Sequence, residues 1–464
     1  IKTASSTTRR GPETPSASYL SLKPLWKKAR AVLQGESQAK SHDEYIEYDY
    51  SNLLLPFSPS MTQRQYDFYK SEAELPGLTA QYAKVLISAL LRKDSQLVLP
   101  EDLEDGAYHW ITKDITLDGS SLFNFLDAAI WEELQTSRAW VYIDRPTVSD
   151  AELESMTPEE RASISPYPVL IRAENVINVQ VKTHPITRIK TLSRWTTRYI
   201  TEEFTADNPW HPNYVDTVCD HYLDEEGYLV LDYYRKAHGS HEVNALNGVI
   251  EQEYNDSADG GFIKYDTVYP MKFGQRLTRI PAFPLNGQIE PVEPVLMPLI
   301  DREVALYNKV SRRNHLLYGA ATYTPVVQSD MTDEEFEELV GAGLGTWLRV
   351  RKDETISVLE TPTGALADMD RAIEATVQEM AKMGIRMLSP EQAASGVALE
   401  IRNASQTAQL GTMNAKISGT MQEVIAFMLN WKYDTDYTGN DIQFQLSSDF
   451  SPMVGGEGSM RLVS

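Results

Sequence analysis

A glycine-rich run, a cysteine–histidine pair, one loop of oxygen donors and three carboxylate clusters are the places where this 464-residue chain could do chemistry. Gly341-Ala-Gly343-Leu-Gly345-Thr346 has the composition of a phosphate-cradling loop. Such a loop follows a strand and opens a helix. Here an acidic helical pattern precedes it, a strand pattern follows, and Thr346 stands where the last glycine belongs, so a plain turn is expected. Asn255-Asp-Ser257-Ala-Asp259-Gly260, ending at Asp266, loosely follows a calcium loop, but it starts on Asn, ends on Asp and lacks flanking helices. A hairpin turn at Asp259-Gly260 is the favoured reading. Cys219 and His221 are close enough to form a nucleophile and base, yet no third group is indicated to orient them, and packing is expected. The acids at 101–105, 152–160 and 333–338 read as solvated loops or helix N-termini. No HExxH, GxSxG or GxxxxGK[ST] pattern occurs. These readings predict no enzyme, no cofactor and no metal.

Charge narrows the partners. The chain carries 66 acidic against 43 basic residues, a net charge of -23, which repels nucleic acid and anionic membrane over most of its surface. That balance excludes tight DNA wrapping but suits a protein past which DNA slides. One window departs from it. Between Asn175 and Thr201 there is no acid, while Lys182, Arg188, Lys190, Arg194 and Arg198 all fall there. The window reads as a solvated strand face, or as a contact with an acidic neighbouring subunit or DNA. The single cysteine allows no disulfide within the chain and fits a reducing compartment. No apolar run approaches the ~20 residues that span a membrane, and residues 1–10 show no signal-peptide pattern.

The elements that must position these groups follow from periodicity. Residues 1–18, rich in Ser, Thr and Pro, read as a loose arm, with Pro24 to Arg30 opening the ordered part. Apolar residues at helical spacing predict helices over about 77–92 and from Leu122 to Leu134, the latter running into a strand at Ala139–Ile143. Between about 167 and 285, β-rich runs at 168–172, 176–181, 229–234 and 262–269 predict a mixed or antiparallel sheet module. A helix follows to about Tyr318, then a strand at 323–328, a capping box at Thr332–Glu335 opening a short acidic helix, and strands at 347–352 and 355–359. A helix over 365–383 carries Leu366, Met369, Ile373, Val377 and Met380 at near-heptad spacing. A loop to about Arg402 and a long helix from Ala404 to Trp431 complete the order. The fold class is α+β.

Several stretches together resemble a known family. They are Ile115-Thr-Leu-Asp-Gly-Ser-Ser-Leu-Phe123, Ser137-Arg-Ala-Trp-Val-Tyr-Ile-Asp144, Pro166 to Asn178, Arg279-Ile-Pro281, Pro298-Leu-Ile-Asp301, Leu306-Tyr-Asn308 and Tyr323-Thr-Pro325. In this order, with the helix–insert–helix–loop–helix tail, they resemble the portal proteins of tailed bacteriophages, in a branch catalogued as a domain of unknown function. The likeness extends over about residues 20–430. Ser137 departs from it, standing where the family has glycine.

The resemblance implies a portal fold: a mixed α/β wing, a helical stem, a small β-rich clip and a long wing helix. Its boundaries would be a flexible arm at 1–19, wing at 20–290, stem helix at 291–319, clip at 320–362, second stem helix at 363–384, tunnel loop at 385–402, long wing helix at 403–434, and a wing return strand at 435–464. Little sequence follows Pro452 for a helical crown, which would be small or lie beyond residue 464. The function implied is a ring, dodecameric in phage heads, at one capsid vertex, serving as the channel for packaging and ejecting double-stranded DNA and as a docking platform. Partners implied are other copies of the chain, DNA without sequence preference, major capsid and scaffolding proteins, the large terminase subunit and head–tail adaptors, with no membrane. The location implied is the virion, with assembly in the host cytoplasm. Tunnel-loop residues Ser389, Glu391, Gln392, Ala394 and Ser395 would approach DNA, as would the basic stem and clip residues Lys309, Arg312, Arg313, Arg349, Arg351 and Lys352. Leu366, Met369, Ile373, Val377 and Met380 would form the oligomer seam, and Asp333, Glu334, Glu335 and Glu338 the clip's docking patch. The competing readings are another head–tail connector or minor capsid component and, from a different class, a hydrolase.

Overall fold

A computed structural model describes residues 11–40, 54–55, 62–92, 95–103, 105–146, 155–157, 164–205, 208–236, 261–321, 324–328, 332, 355–359, 364–383 and 396–447. In chain order the helices are α1 (Ala17–Leu33), α2 (Glu36–Lys40), α3 (Gln63–Glu72), α4 (Leu78–Leu90), α5 (Asp105–Lys113), α6 (Leu122–Thr136), α7 (Met297–Ala321), α8 (Gly364–Lys382) and α9 (Gly396–Tyr433). The strands are β1 (Gln96–Val98), β2 (Trp140–Asp144), β3 (Tyr167–Ile171), β4 (Val176–Thr183), β5 (Lys190–Thr205), β6 (Asn208–Leu223), β7 (Leu229–Lys236), β8 (Phe262–Val268), β9 (Met271–Lys272), β10 (Gln275–Arg276), β11 (Ala282–Pro284), β12 (Thr324–Gln328), β13 (Thr355–Leu359) and β14 (Gln443–Gln445). Every strand pairing among them is antiparallel. The molecule is α+β, with helices and antiparallel sheets around a shared core.

The core forms where apolar stripes meet. Leu122, Phe125, Leu126, Ala129, Ile130 and Leu134 line one side of α6 and are buried. They lie in one cluster with Leu86 and Leu90 of α4, Trp140 and Val141 of β2, and Met421, Val424, Ile425 and Met428 of α9. A three-stranded sheet in the order β11-β2-β3 lies under them. β14 pairs with β1, with Phe444 opposite Leu97.

Ser121 caps α6, its side chain accepting from Asn124 N. The same helix ends on Ser137 at φ 49°, the left-handed conformation that favours glycine at a helix C-terminus. Ser137 offsets that strain through hydrogen bonds that tie the corner to the chain before α7: its Oγ accepts Val295 N at 2.8 Å and its carbonyl accepts the Asn286 amide at 2.9 Å.

The expected N-terminal arm shortens. Helix α1 starts at Ala17, capped by Ser16, whose own N–H bonds Ile177 O at 2.9 Å. Tyr19 is buried and donates its hydroxyl to Glu174 O, so the ordered chain begins well before Pro24, which lies inside the helix. Downstream, Arg30 sits between Glu132 and Glu174 in a buried charge cluster: Nη2 bonds Glu132 at 2.5 Å and Glu174 at 2.6 Å, and Nε bonds Glu174 at 2.5 Å. The flanking carboxylates hold the guanidinium charged despite burial, and the same attraction holds Glu174 below the usual carboxylate range.

The module between 176 and 268 is a five-stranded meander in the order β4-β5-β6-β7-β8. β5 and β6 are 16 residues each and outrun their neighbours. From Thr201↔Val215 outward they pair only with each other among the described residues.

Candidate functional site

The segment that the sequence assigns to stem and clip is a laced hairpin. Helix α7 leaves the core, β12 and β13 pair at the far end in the register Thr324↔Leu359 to Gln328↔Thr355, and α8 returns. At 1.5 Å per residue, the 25 residues of α7 span about 37 Å and the 19 of α8 about 28 Å. Three polar rungs join the helices: Arg302 to Glu379 at 3.2 Å, Lys309 Nζ to Thr376 Oγ1 at 2.5 Å, and Arg313 Nε to Asp370 at 2.5 Å. Residue numbers rise along α7 as they fall along α8, so the rungs fix the helices antiparallel.

The root of the hairpin is held by apolar and polar contacts. Leu299, Ile300, Leu306 and Tyr307 of α7 are buried in the core, as is Met380 of α8. Glu303 of α7 is fully buried and caps α4: one carboxylate oxygen accepts Gly77 N at 2.8 Å and Leu78 N at 3.2 Å, the other Thr79 N and Thr79 Oγ1, both at 3.1 Å. A carboxylate there meets the unpaired N–H groups and the positive end of the helix together. Further out, Asn308 donates to Leu54 O at 2.7 Å, and Tyr69 and Phe68 of α3 make ring contacts with His315 and Tyr318.

Within the single chain, the residues of two expectations are placed as follows. The seam assigned to contacts between copies faces the same chain's α7: Met380 is buried, Ile373 packs against the core, and Leu366 and Met369 are half-buried. Val377 falls outside it at 37% exposure, and Thr376 takes the inner position at 4%. Of the basic residues expected at the DNA face, Lys309 and Arg313 form rungs to α8, while Arg312 is exposed. Arg349, Arg351, Lys352, Asp333, Glu334, Glu335, Glu338, Ser389, Glu391, Gln392, Ala394 and Ser395 lie outside the described residues, as do the glycine run at 341–346 and the loop at 255–260. The expected tunnel loop ran to 402, but residues 396–402 are helical and belong to α9, which is 38 residues long. Gly396 opens that helix rather than interrupting it.

Elsewhere, chemistry-bearing residues are used for packing. Cys219 Sγ lies 3.7 Å from His221 Nε2, among Trp195, Tyr142 and Tyr233. Burial pushes the thiol well above its usual range and lowers His221 to about 4, so neither is poised as nucleophile or base at neutral pH. Of the basic window, Arg198 pairs with Asp216 at 2.5 Å, Arg194 with Asp220 at 3.3 Å and Lys190 with Glu290 at 2.5 Å. Among the described residues, no three His, Cys, Asp or Glu side chains are grouped to hold a metal, and no helix is long and apolar enough to cross a membrane.

Residues 295–432, from the start of α7 almost to the end of α9, match the family described as Domain of unknown function (DUF4055). No curated protein matches the sequence. Among solved structures, the chain is similar to one in the virion of a native gene transfer agent particle and to one in the neck of an empty gene transfer agent particle computed with C6 symmetry. Each is 10% identical, with a TM-score of 0.36, over 85% of this chain and 87% of the other.

Proposed function

We propose that this chain is a portal subunit: a non-enzymatic component of a phage-type head that assembles into a ring around double-stranded DNA. The observation that carries the reading is the laced hairpin. Two antiparallel helices rooted in the core by Glu303 and Met380 and extended by an antiparallel strand pair form a laced spoke. Copies of such a spoke set side by side make the wall of a channel, with the strand pairs projecting from one end as a docking rim. The ordered sequence stretches that resemble portal proteins support the same reading.

Electrostatics fits sliding rather than gripping. Lys309 and Arg313 are spent on contacts within the chain, while Asp368, Glu374 and Glu379 of α8 are exposed. A wall in which acids match the bases, repeated around a ring, grips a phosphate backbone weakly. On this reading the partners are further copies of the chain, the DNA, the packaging motor and the head–tail adaptors, and the location is one vertex of the virion. Negative-stain images of the purified chain test it. Uniform closed rings with a central opening that admits duplex DNA are expected. A monomer at every concentration, in the presence and absence of capsid and scaffolding protein, overturns the reading.

A further inference from the structure

Among the described residues, the four most exposed large hydrophobic side chains sit at the two ends of one sheet. Ile186 (85%) and Ile189 (61%) lie in the turn between β4 and β5, and Phe204 (62%) and Trp210 (85%) lie near the tip of the β5–β6 ribbon. The ends are opposite in charge. The turn carries Lys182, Arg188 and Lys190, the last paired with Glu290. The ribbon carries Glu202 and Glu203, the latter paired with Arg235, and from Tyr199 to Tyr234 the sequence contains no Lys or Arg.

Both ends are built to present these groups. In the turn, His184 N donates to Ile189 O at 2.9 Å, Arg188 N donates to His184 O at 3.0 Å, and His184 Nδ1 accepts Thr187 N at 3.1 Å. That network holds the two isoleucines in solvent instead of letting them fold back. At the other end, the ribbon carries Phe204 and Trp210 beyond the last β7 pairing. Exposed aromatics flanked by acids and exposed isoleucines flanked by bases are the two halves of a contact: an apolar centre with a rim of matching charge.

The halves cannot meet within one molecule. The 16 residues of β5 separate them by about 50 Å of extended strand. We propose that the acidic, aromatic ribbon tip of one copy docks on the basic, isoleucine-bearing β4–β5 turn of the next copy. Such a head-to-tail contact uses two different patches on each subunit, the kind of interface that closes into a ring when the rotation permits. It deepens the portal reading and rests on it, adding a lock between wings to whatever the hairpins contribute. It also accounts for the acid-free window. Arg194 and Arg198 are consumed by Asp220 and Asp216 inside the sheet, which leaves Lys182 and Arg188 for the neighbour.

Disulfide trapping in the full chain tests this. Cys219, the one native cysteine, is buried and does not compete. A chain carrying both Ile186→Cys and Trp210→Cys, oxidised after assembly, is expected to run as a ladder of multimers on a non-reducing gel. Mixed single-cysteine chains should stop at the heterodimer. Lys182→Glu with Arg188→Glu should reduce trapping by about tenfold, and Glu202→Lys added to that chain should restore it, because like charges at a contact repel and swapped ones attract. Negative-stain images of the same samples separate the two readings. Uniform rings without trapping overturn the wing contact and leave the portal reading standing. A ladder without closed rings supports the contact and counts against the ring. Absence of both overturns both. Retention of duplex DNA that is lost in Lys182→Glu/Arg188→Glu, with trapping absent, assigns the basic turn to nucleic acid and also overturns the contact.

Discussion

Replacing Glu303 with Gln isolates the joint between the hairpin and the body. The carboxylate takes four donors: Gly77 N and Leu78 N on one oxygen, Thr79 N and Thr79 Oγ1 on the other. A glutamine oxygen keeps the first pair. Its amide then faces Thr79 N, an N–H against an N–H, while the threonine hydroxyl can rotate to accept. One buried backbone donor is stranded, at about 1–3 kcal/mol, and the charge at the positive end of α4 is lost, at about 0.5–2 kcal/mol. The expected destabilisation is about 1.5–5 kcal/mol, and Glu303→Ala, which strands all three amides, should exceed it. Urea unfolding at constant m-value gives the total, and hydrogen exchange at Gly77, Leu78 and Thr79 shows whether it arises at the cap. If Glu303→Gln costs less than about 0.5 kcal/mol and the three amides keep their protection, the capping argument fails.

Three further outcomes follow from the same reasoning. Arg30→Met leaves Glu132 and Glu174 buried against each other and should cost about 3–5 kcal/mol in urea unfolding, whereas replacing all three charges with Met and Leu should recover most of that. His221 is held neutral in the fold, with a pKa near 4, and binds a proton near 6.5 when unfolded. Stability should therefore fall as pH drops from about 6.5 to about 4, and His221→Asn should remove up to about 3 kcal/mol of that slope in stability measured against pH. Ile373→Asp should destabilise the isolated chain by about 2 kcal/mol or more, while Val377→Asp, at an exposed position, should leave its melting within about 0.5 kcal/mol of the parent. Equal effects of the two substitutions would contradict the packing of α8 on α7.

What the sequence revealed follows from where the burial lies. Helices α4, α6, α7 and α8 each bury one stripe, so their apolar residues recur at helical spacing and the elements are visible to within a few residues. Strands β5 and β6 were hidden for the opposite reason. Over much of their length both faces are polar, and Arg198, Asp216, Thr201 and Thr217 pair across strands without any apolar alternation. The start of α1 did carry a signal, with Tyr19, Leu22, Trp26 and Ala29 at steps of three and four behind Ser16, but Pro24 drew the boundary to itself. The near-heptad spacing on α8 marked the buried Met380 and the packed Ile373 but not Thr376, and spacing cannot tell a neighbour in the same chain from one in another. The acid-free window located the turn that is proposed as half of a contact. Its partner required the topology, because only the paired strands show that the basic and acidic stretches end at opposite tips of one sheet.

The lacing of α7 to α8 also bears on how this chain can change over evolutionary time. Because the two legs leave and re-enter the core side by side, residues inserted or lost beyond the Arg313–Asp370 rung shift neither leg at its root. Closing a longer excursion costs only about 0.6 kcal/mol per doubling of its length. The stretch beyond that rung can therefore take insertions or deletions at little cost to the residues that root the hairpin.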